Sequence, residues 1–423
     1  MTWFYSRVRD ELVGGGDPSG VSGAGTPVPR SRTIVGLGTV VALLVWLGTN
    51  NPWTLVFVLG LLVSVFLHEV GHFVTARMTG MKVTQFSMGF GPRLATWQRG
   101  EVEYGIRALP LGAYVRIIGM NNLDPVEPAE EHRAYRTKSF PRRFLVITAG
   151  SSMHAIIALA LFAGVYATAG RWGEVGTLSI VGDPYPGSAA EVVGVRDGDV
   201  IVSFDGITVT SADQFVAAVR ARRPGDTVTV VISRNGGLLE SRATLGAAPW
   251  TTPDRNVGDV AFFGVGSSSR AYSRQSIPDA AVWAVRDVAS TAWSSIGGVL
   301  RVVNPVNIAN NLTAETADPM TRPSTVVGAS QLGGELGREE GWKGVLILLA
   351  AVNVFVGVFN LVPLLPFDGG HAAVAIYERL RSRRGRAYHA DVAKLAPVAT
   401  TVIAVLVTLL VAGLYLDLTQ PFG

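Results

Sequence analysis

The run Leu61-Leu62-Val63-Ser64-Val65-Phe66-Leu67-His68-Glu69-Val70-Gly71-His72-Phe73 decides the architecture. Apolar or small residues lead without a charge into His68, Glu69 and His72. In lipid the backbone must satisfy its own hydrogen bonds, so such a run crosses a bilayer only as a helix. On a helix, positions i and i+4 share a face, so His68 and His72 project together with Glu69 alongside. Ionisable groups at the end of an apolar helix are costly unless paired or ligated, which marks a functional cluster; polar packing between helices is the plainer alternative.

Outward from this run, residues 33–67, 144–170, 344–367 and 395–416 carry no Asp, Glu, Lys or Arg. Each is long enough for the ~20 helical residues that cross a ~30 Å hydrocarbon core. With 423 residues, 48% hydrophobic and only 16% charged, the chain is not an ordinary soluble enzyme. It has no cysteine, which excludes disulfides and thiolate ligands. Its net charge of +4 is too small to indicate a nucleic-acid partner. The Gly-, Ser- and Pro-rich residues 1–32 read as a disordered cytoplasmic tail rather than a cleavable signal.

Residues 33–67 are too many for one span, and Asn50-Asn51-Pro52 interrupts them, because Pro lacks an N–H and disfavours helix before it. A helical hairpin is expected: an extra span at 33–49, then a core span at 53–75 with the histidines. The alternative for 33–49 is an interfacial segment. Further core spans are expected at 144–170, 344–370 and 395–416. Lys and Arg orient them. The tail has four, residues 76–143 eleven and residues 371–394 six, whereas 171–343 has 15 against 18 acids. Five spans put every basic segment in the cytoplasm and 171–343 outside. The chain is thus expected as a multi-pass protein of the cell membrane, with the histidines toward the cytoplasmic side.

Within 76–143, residues 81–120 alternate like strands around a Gly89-Phe90-Gly91-Pro92 turn, giving a small cytoplasmic sheet. Residues 173–248 read as an α/β module, with strand-like runs at 200–204 and 227–233 and a helix behind a Ser211 cap. In 249–343, residues 277–303 have the spacing of an amphipathic helix at a bilayer surface, and 304–341 reads as loop.

Two histidines one turn apart can reach one Zn²⁺, with Glu69 placed to take a proton from an attacking water. A catalytic zinc needs three protein ligands and one open position. The acids within or abutting the apolar stretches are Glu69, Asp368 and Asp417. Asp417 falls at the outer end of the last span, where it can face water, so Asp368 is the third-ligand candidate; a solvated helix-end carboxylate is its alternative. Pro363 and Pro366 open the helix before Asp368 and free backbone groups that could hold an extended substrate. Asn360 could donate to substrate backbone or simply join two helices.

In this order, His68-Glu69-Val70-Gly71-His72, Gly89-Phe90-Gly91-Pro92 and Asn360 with Asp368-Gly369-Gly370-His371 resemble the site-2 protease family over about residues 53–416. Arg322-Pro323-Ser324 with Gly328 matches a stretch ahead of that family's third core span. The resemblance implies a polytopic α-helical membrane protein with a four-span core. One Zn²⁺ per chain would be bound by His68, His72 and Asp368, with Glu69 as base. The cytoplasmic sheet, with Gly89 and Gly91, would handle substrate as a strand. Pro186-Gly187-Ser188-Ala189-Ala190, residues 194–201 and Asp205-Gly206 resemble a PDZ domain. A single such insert, placed outside the cytoplasm, implies the bacterial branch that performs regulated intramembrane proteolysis. Its substrates are single-span membrane proteins, commonly anti-sigma factors, cut in the membrane after ectodomain trimming. The insert would gate or dock them.

Two departures from that family stand out. The span at 33–49 is additional to the core. In the second core span, relatives carry Gly-Pro followed by Asn, whereas this chain has Gly150-Ser151-Ser152-Met153-His154. His154 could therefore hydrogen-bond an oxyanion or a metal ligand, or make an interhelical contact. His371 could support the metal site or cap a helix. The competing function is a non-catalytic PDZ-bearing adaptor with a structural metal. Structural zinc is closed by four ligands, and three ligands plus Glu69 favour the enzyme. Lipid and a membrane-protein substrate are the expected partners.

Overall fold

A computed structural model describes residues 30–120, 124–234, 236–249, 260–382 and 388–422, so most of the expected tail lies outside the described residues. The chain divides into two units, Met1–Gly164 with Asp279–Gly423, and Val165–Pro278. In the first, helix α1 (Arg30–Asn50) is followed by α2 (Pro52–Met78). The break falls where Pro52 requires it. Asn51 caps α2, its side chain accepting the Trp53 N–H at 3.0 Å, and Pro52 at the first helical position forfeits no bond.

Strands β1 (Val83–Arg99) and β2 (Val102–Ile117) pair antiparallel. Gly89 (φ 86°) and Gly91 (φ 79°) adopt left-handed conformations that suit glycine, and the chain reverses there as expected, so that residues 85–88 and 93–99 flank residues 103–107 on opposite sides. As a result Gln85, Phe86, Ser87 and Met88 pair with Arg116, Val115, Tyr114 and Ala113 on one side and with Glu103, Tyr104, Gly105 and Ile106 on the other. The folded-back ribbon packs on α2 through Phe86, whose ring lies 5.6 Å from Phe66 and 5.4 Å from Phe73. Helix α3 (Phe140–Thr168) closes this half.

The second unit is an antiparallel sheet built from β3 (Arg171–Val181), β4 (Val200–Phe204), β5 (Thr227–Arg234), β6 (Gly237–Thr244) and β7 (Gly266–Ser273), in the order β7-β3-β4-β5-β6. Helix α4 (Ala212–Arg220) starts at Ser211, whose hydroxyl accepts the Gln214 N–H. Leu178, Ile201, Phe204, Phe215 and Phe263 fill the core. Arg234 grips Asp199 at 2.7 Å and holds its carboxyl below the usual carboxylate range. The expected module ended at residue 248, but β7 returns to pair with β3, so the unit runs to Pro278.

Helix α5 (Ile277–Val302) forms as expected. Residues 304–341 are not a loop: they hold α6 (Pro305–Thr313) and α7 (Val326–Glu340). The residues that suggested a loop are caps and contact points. Asn304 and Thr325 accept the Val306 and Val327 N–H groups. A Cβ at Gly333 would fall 2.6 Å from Phe57, and at Gly337 2.3 Å from Trp53, so bare glycines let α7 lie tightly on α2. Helix α8 (Trp342–Asn360) ends ten residues short of the expected span, and after a turn α9 (Asp368–Arg381) and α10 (Ala396–Thr419) complete the chain. Among the described residues, four helical segments are long and apolar enough to cross a membrane: Pro52–Met78, Phe140–Thr168, Trp342–Asn360 and Val392–Thr419. Helix α1 contributes the shorter apolar run Ile34–Asn50.

Candidate metal centre

Helix geometry brings His68 and His72 of α2 onto one face, and the turn at residues 361–367 delivers Asp368 at the start of α9 opposite them. His72 Nε2 lies 3.2 Å from His68 Nε2. Asp368 Oδ2 lies 3.4 Å from His68 Nε2 and 3.3 Å from His72 Nε2. Ligand bonds of ~2.0–2.1 Å in a tetrahedron give edges of about 3.3–3.4 Å, so the three atoms already stand at zinc-site spacing. Asp368 Oδ2 is buried without a hydrogen-bond partner. A buried orphan oxygen is costly, and a cation in the triangle would satisfy it. His72 donates Nδ1–H to the Val146 carbonyl at 2.7 Å, which leaves the Nε2 lone pair facing the triangle. Residues and geometry fit a zinc ion.

Glu69 Oε1 is 4.0 Å from His68 Nε2, close enough to act on a molecule at the open side. Its carboxylate also meets the backbone of Val115, which brings β2 to the edge of the site. Gly150 of α3 makes room for the ligands, because a Cβ there would fall 2.4 Å from His68 Cε1 and His72 Nε2.

His154 lies beside His68, with ring centroids 4.9 Å apart. Its Nδ1 meets Asn353 Oδ1 at 2.8 Å, and Asn353 donates onward to Ser64 Oγ and to the Leu349 carbonyl. Through Asn353, His154 is tied into three helices. His371 sits one turn beyond Asp368 on the same helix, within electrostatic range of it. Asn360 ends α8 and Pro363 lies in the turn; neither belongs to the three-donor cluster. Gly89 and Gly91 are in β1, where the Gly91 carbonyl accepts from the buried Arg107.

Sequence reasoning missed the Val146 carbonyl and Ser64, and a backbone acceptor leaves no mark in a sequence. It also misread Asp417, which does not face water. Asp417 is fully buried and accepts from Arg322 Nη2 at 3.0 Å, from Ser324 Oγ at 3.0 Å and from the Thr325 and Gly328 N–H groups at 2.7 and 3.0 Å. The signal was present: Arg322 is a cation in a stretch otherwise read as loop, and a carboxylate at a span end calls for one.

Membrane-capable helices around a His-His-Asp cluster, with a glutamate beside it, define a multi-pass membrane metallopeptidase. The sequence pattern of Peptidase family M50 matches residues 56–405, and the chain belongs to that family, the site-2 proteases. It is 34% identical over 399 residues to the zinc metalloprotease Rip1 of Mycobacterium tuberculosis, covering 86% of this chain and 96% of that one. Rip1 of Mycolicibacterium smegmatis is 33% identical over 397 residues, covering 87% and 97%. A putative zinc metalloprotease of Rhizobium meliloti is 29% identical over 345 residues, covering 78% and 87%. Among solved structures, the PDZ domain of an SdrC-like protein from Listeria monocytogenes aligns with 22% of this chain and 86% of its own, at 18% identity and a TM-score of 0.18. The chain is a zinc-dependent metalloendopeptidase, which displaces the adaptor alternative.

Proposed function

We propose that this chain cleaves the transmembrane segments of single-span membrane proteins, anti-sigma factors among them, after their ectodomains have been trimmed. The observation that carries the reading is the triangle of His68, His72 and Asp368 donor atoms at the end of apolar helices, with Glu69 at its open side. His68, His72 and Asp368 hold the zinc, which when bound supplies Lewis acidity to the scissile carbonyl and to the attacking water. Glu69 takes the proton from that water and returns it to the leaving amine. The substrate must first unwind, since a helix hides its carbonyls. Residues 113–117 of β2 pair with β1 on one side only among the described residues, and Val115 meets Glu69. An unwound substrate adding there as a strand would bring its backbone to the base. The bend at Gly89 and Gly91 shapes that ribbon, and Asn360 and Pro363 hold the other side of the extended segment. His154 orients a group at the metal, and His371 supports Asp368.

The charge distribution supports five spans with the N-terminus, residues 76–143 and residues 371–394 in the cytoplasm, and the PDZ-like unit outside. Reporter fusions at residues 20 and 200 should then give opposite sides; the same side for both would make α1 interfacial. For the chemistry, purified protein in detergent is assayed on a transmembrane peptide. His68→Ala, His72→Ala and Asp368→Ala should lose both zinc and cleavage, while Glu69→Gln keeps zinc and loses cleavage. Robust cleavage by the Glu69→Gln protein would sink the mechanism.

A further inference from the structure

A cavity of about 470 Å³ lies behind the turn that carries Asp368, walled by Pro363, Leu364, Leu365, Val374, Leu395 and Val398. That volume is in the range of small-molecule sites, and the walls are mostly apolar. Neither His68, Glu69 nor His72 lines it, so it is not the chamber where the peptide bond would be cut, although Pro363 of the proposed substrate-holding turn is shared with its wall. Polar groups come from Tyr377, Tyr388, Asp391 and Lys394.

The surroundings say what would fill it. Helix α9 exposes Ile376 (42%) and Leu380 (74%) while carrying Arg379 and Arg381 in its last turn. Exposed apolar residues next to arginines are the pattern of a helix lying at a membrane interface. The final membrane-capable segment begins at Val392, and Val398, half exposed, stands where the cavity meets it. Arg381 donates to the Tyr377 hydroxyl at 3.0 Å and stacks on Tyr388 at 4.9 Å, so its guanidinium is held against residues that line the cavity. Lys394 is exposed, and its contact with Asp391 is a loose 3.8 Å. Glu378 is taken up by Arg143, so among the described residues of 371–394 the cations Arg379, Arg381 and Lys394 outnumber the one remaining acid, Asp391. Apolar walls with a net positive rim match an acyl chain that ends in an anionic headgroup.

We infer that this cavity binds one acyl chain of an anionic bilayer lipid, with its phosphate on Lys394 and Arg381, and that the lipid braces the turn carrying Asp368. The coupling is steric. A Cβ at Gly370 would fall 2.5 Å from Leu365 N, so the start of α9 rests directly on the cavity wall, and a wall that gives lets Asp368 move.

The test uses the full chain in nanodiscs of phosphatidylcholine with or without phosphatidylglycerol, and reads retained lipid by native mass spectrometry. Wild type should retain one phosphatidylglycerol in preference to phosphatidylcholine. Lys394→Glu should lower that retention by roughly fivefold or more, since each cation near an anionic headgroup contributes about 1 kcal/mol. Val398→Trp fills the cavity and should abolish retention, while Arg338→Glu on α7 should change nothing. Zinc loss to a chelator should be faster in phosphatidylcholine alone and in Val398→Trp. Equal retention of the two lipids, or full retention by both cavity variants, would overturn the assignment. Displacement of the lipid by inorganic phosphate would show that only the headgroup is read and would overturn the acyl-chain site. If Val398→Trp fails to fold, the lipid comparison and Lys394→Glu still decide. Lipid retention does not involve proteolysis, so this inference fails or survives apart from the catalytic reading.

Discussion

Gly150 leaves no room for even one added carbon beside His68 and His72, at 2.4 Å from both rings. Neither ring can retreat freely, because His72 is tethered to the Val146 carbonyl and His68 lies against His154. Gly150→Ala should therefore push the ligands apart and weaken zinc affinity on the order of 10–100-fold, the scale of a disturbed outer partner. Chelator competition measures it, and wild-type affinity would refute this account of the packing. At this scale the sequence was most informative where chemistry is expensive. The cluster of His68, His72 and Asp368 with Glu69 beside it was legible because charged groups within or abutting uncharged apolar runs need a reason to be there. His154 was legible as a departure but not as a partner of Asn353, because spacing within one helix cannot say which neighbour it meets.

Elements were legible where composition is extreme and misread where it is mixed. The uncharged runs and the break at Pro52 located α1, α2 and the other long apolar helices. Residues 304–341 looked like a loop because caps and contact glycines share the composition of loops, and only the partner surface of α2 tells them apart. The consequence is mechanical. Helix α7 braces α2 and is pinned in turn by Asp417 of α10 through Arg322, Ser324 and Thr325. Breaking a buried pair strands a charge, which costs about 3–5 kcal/mol. Asp417→Ala, which strands Arg322, should lower the thermal unfolding midpoint of the detergent-solubilised protein markedly, while zinc binding at low temperature persists because neither Arg322 nor Asp417 belongs to the His68, His72 and Asp368 cluster. An unchanged midpoint would show that α7 does not depend on the clamp.

For the whole molecule, the question is what the α/β unit contributes to selection. On the proposed topology that unit stands outside the cytoplasm and the zinc triangle toward the cytoplasmic side, so its proposed role is to select which substrates approach rather than to take part in the chemistry. The fold shows where to remove it. Strand β7 completes the sheet by pairing with β3, so a cut at residue 248 would leave half an interface behind. Tyr166 and Gln275, by contrast, are joined by a 3.0 Å backbone hydrogen bond, so the chain enters and leaves the unit at one point. Deleting residues 171–274 and bridging Gly170 to Gln275 with a short Gly/Ser link should preserve zinc content and cleavage of a pre-trimmed single-span substrate. It should also admit a substrate that still carries its ectodomain, which the intact chain should refuse. Cleavage assays on the matched pair of substrates distinguish the outcomes. Loss of cleavage even of the trimmed substrate, in a zinc-loaded variant, would assign the unit to docking, and unchanged refusal of the untrimmed one would remove the gate.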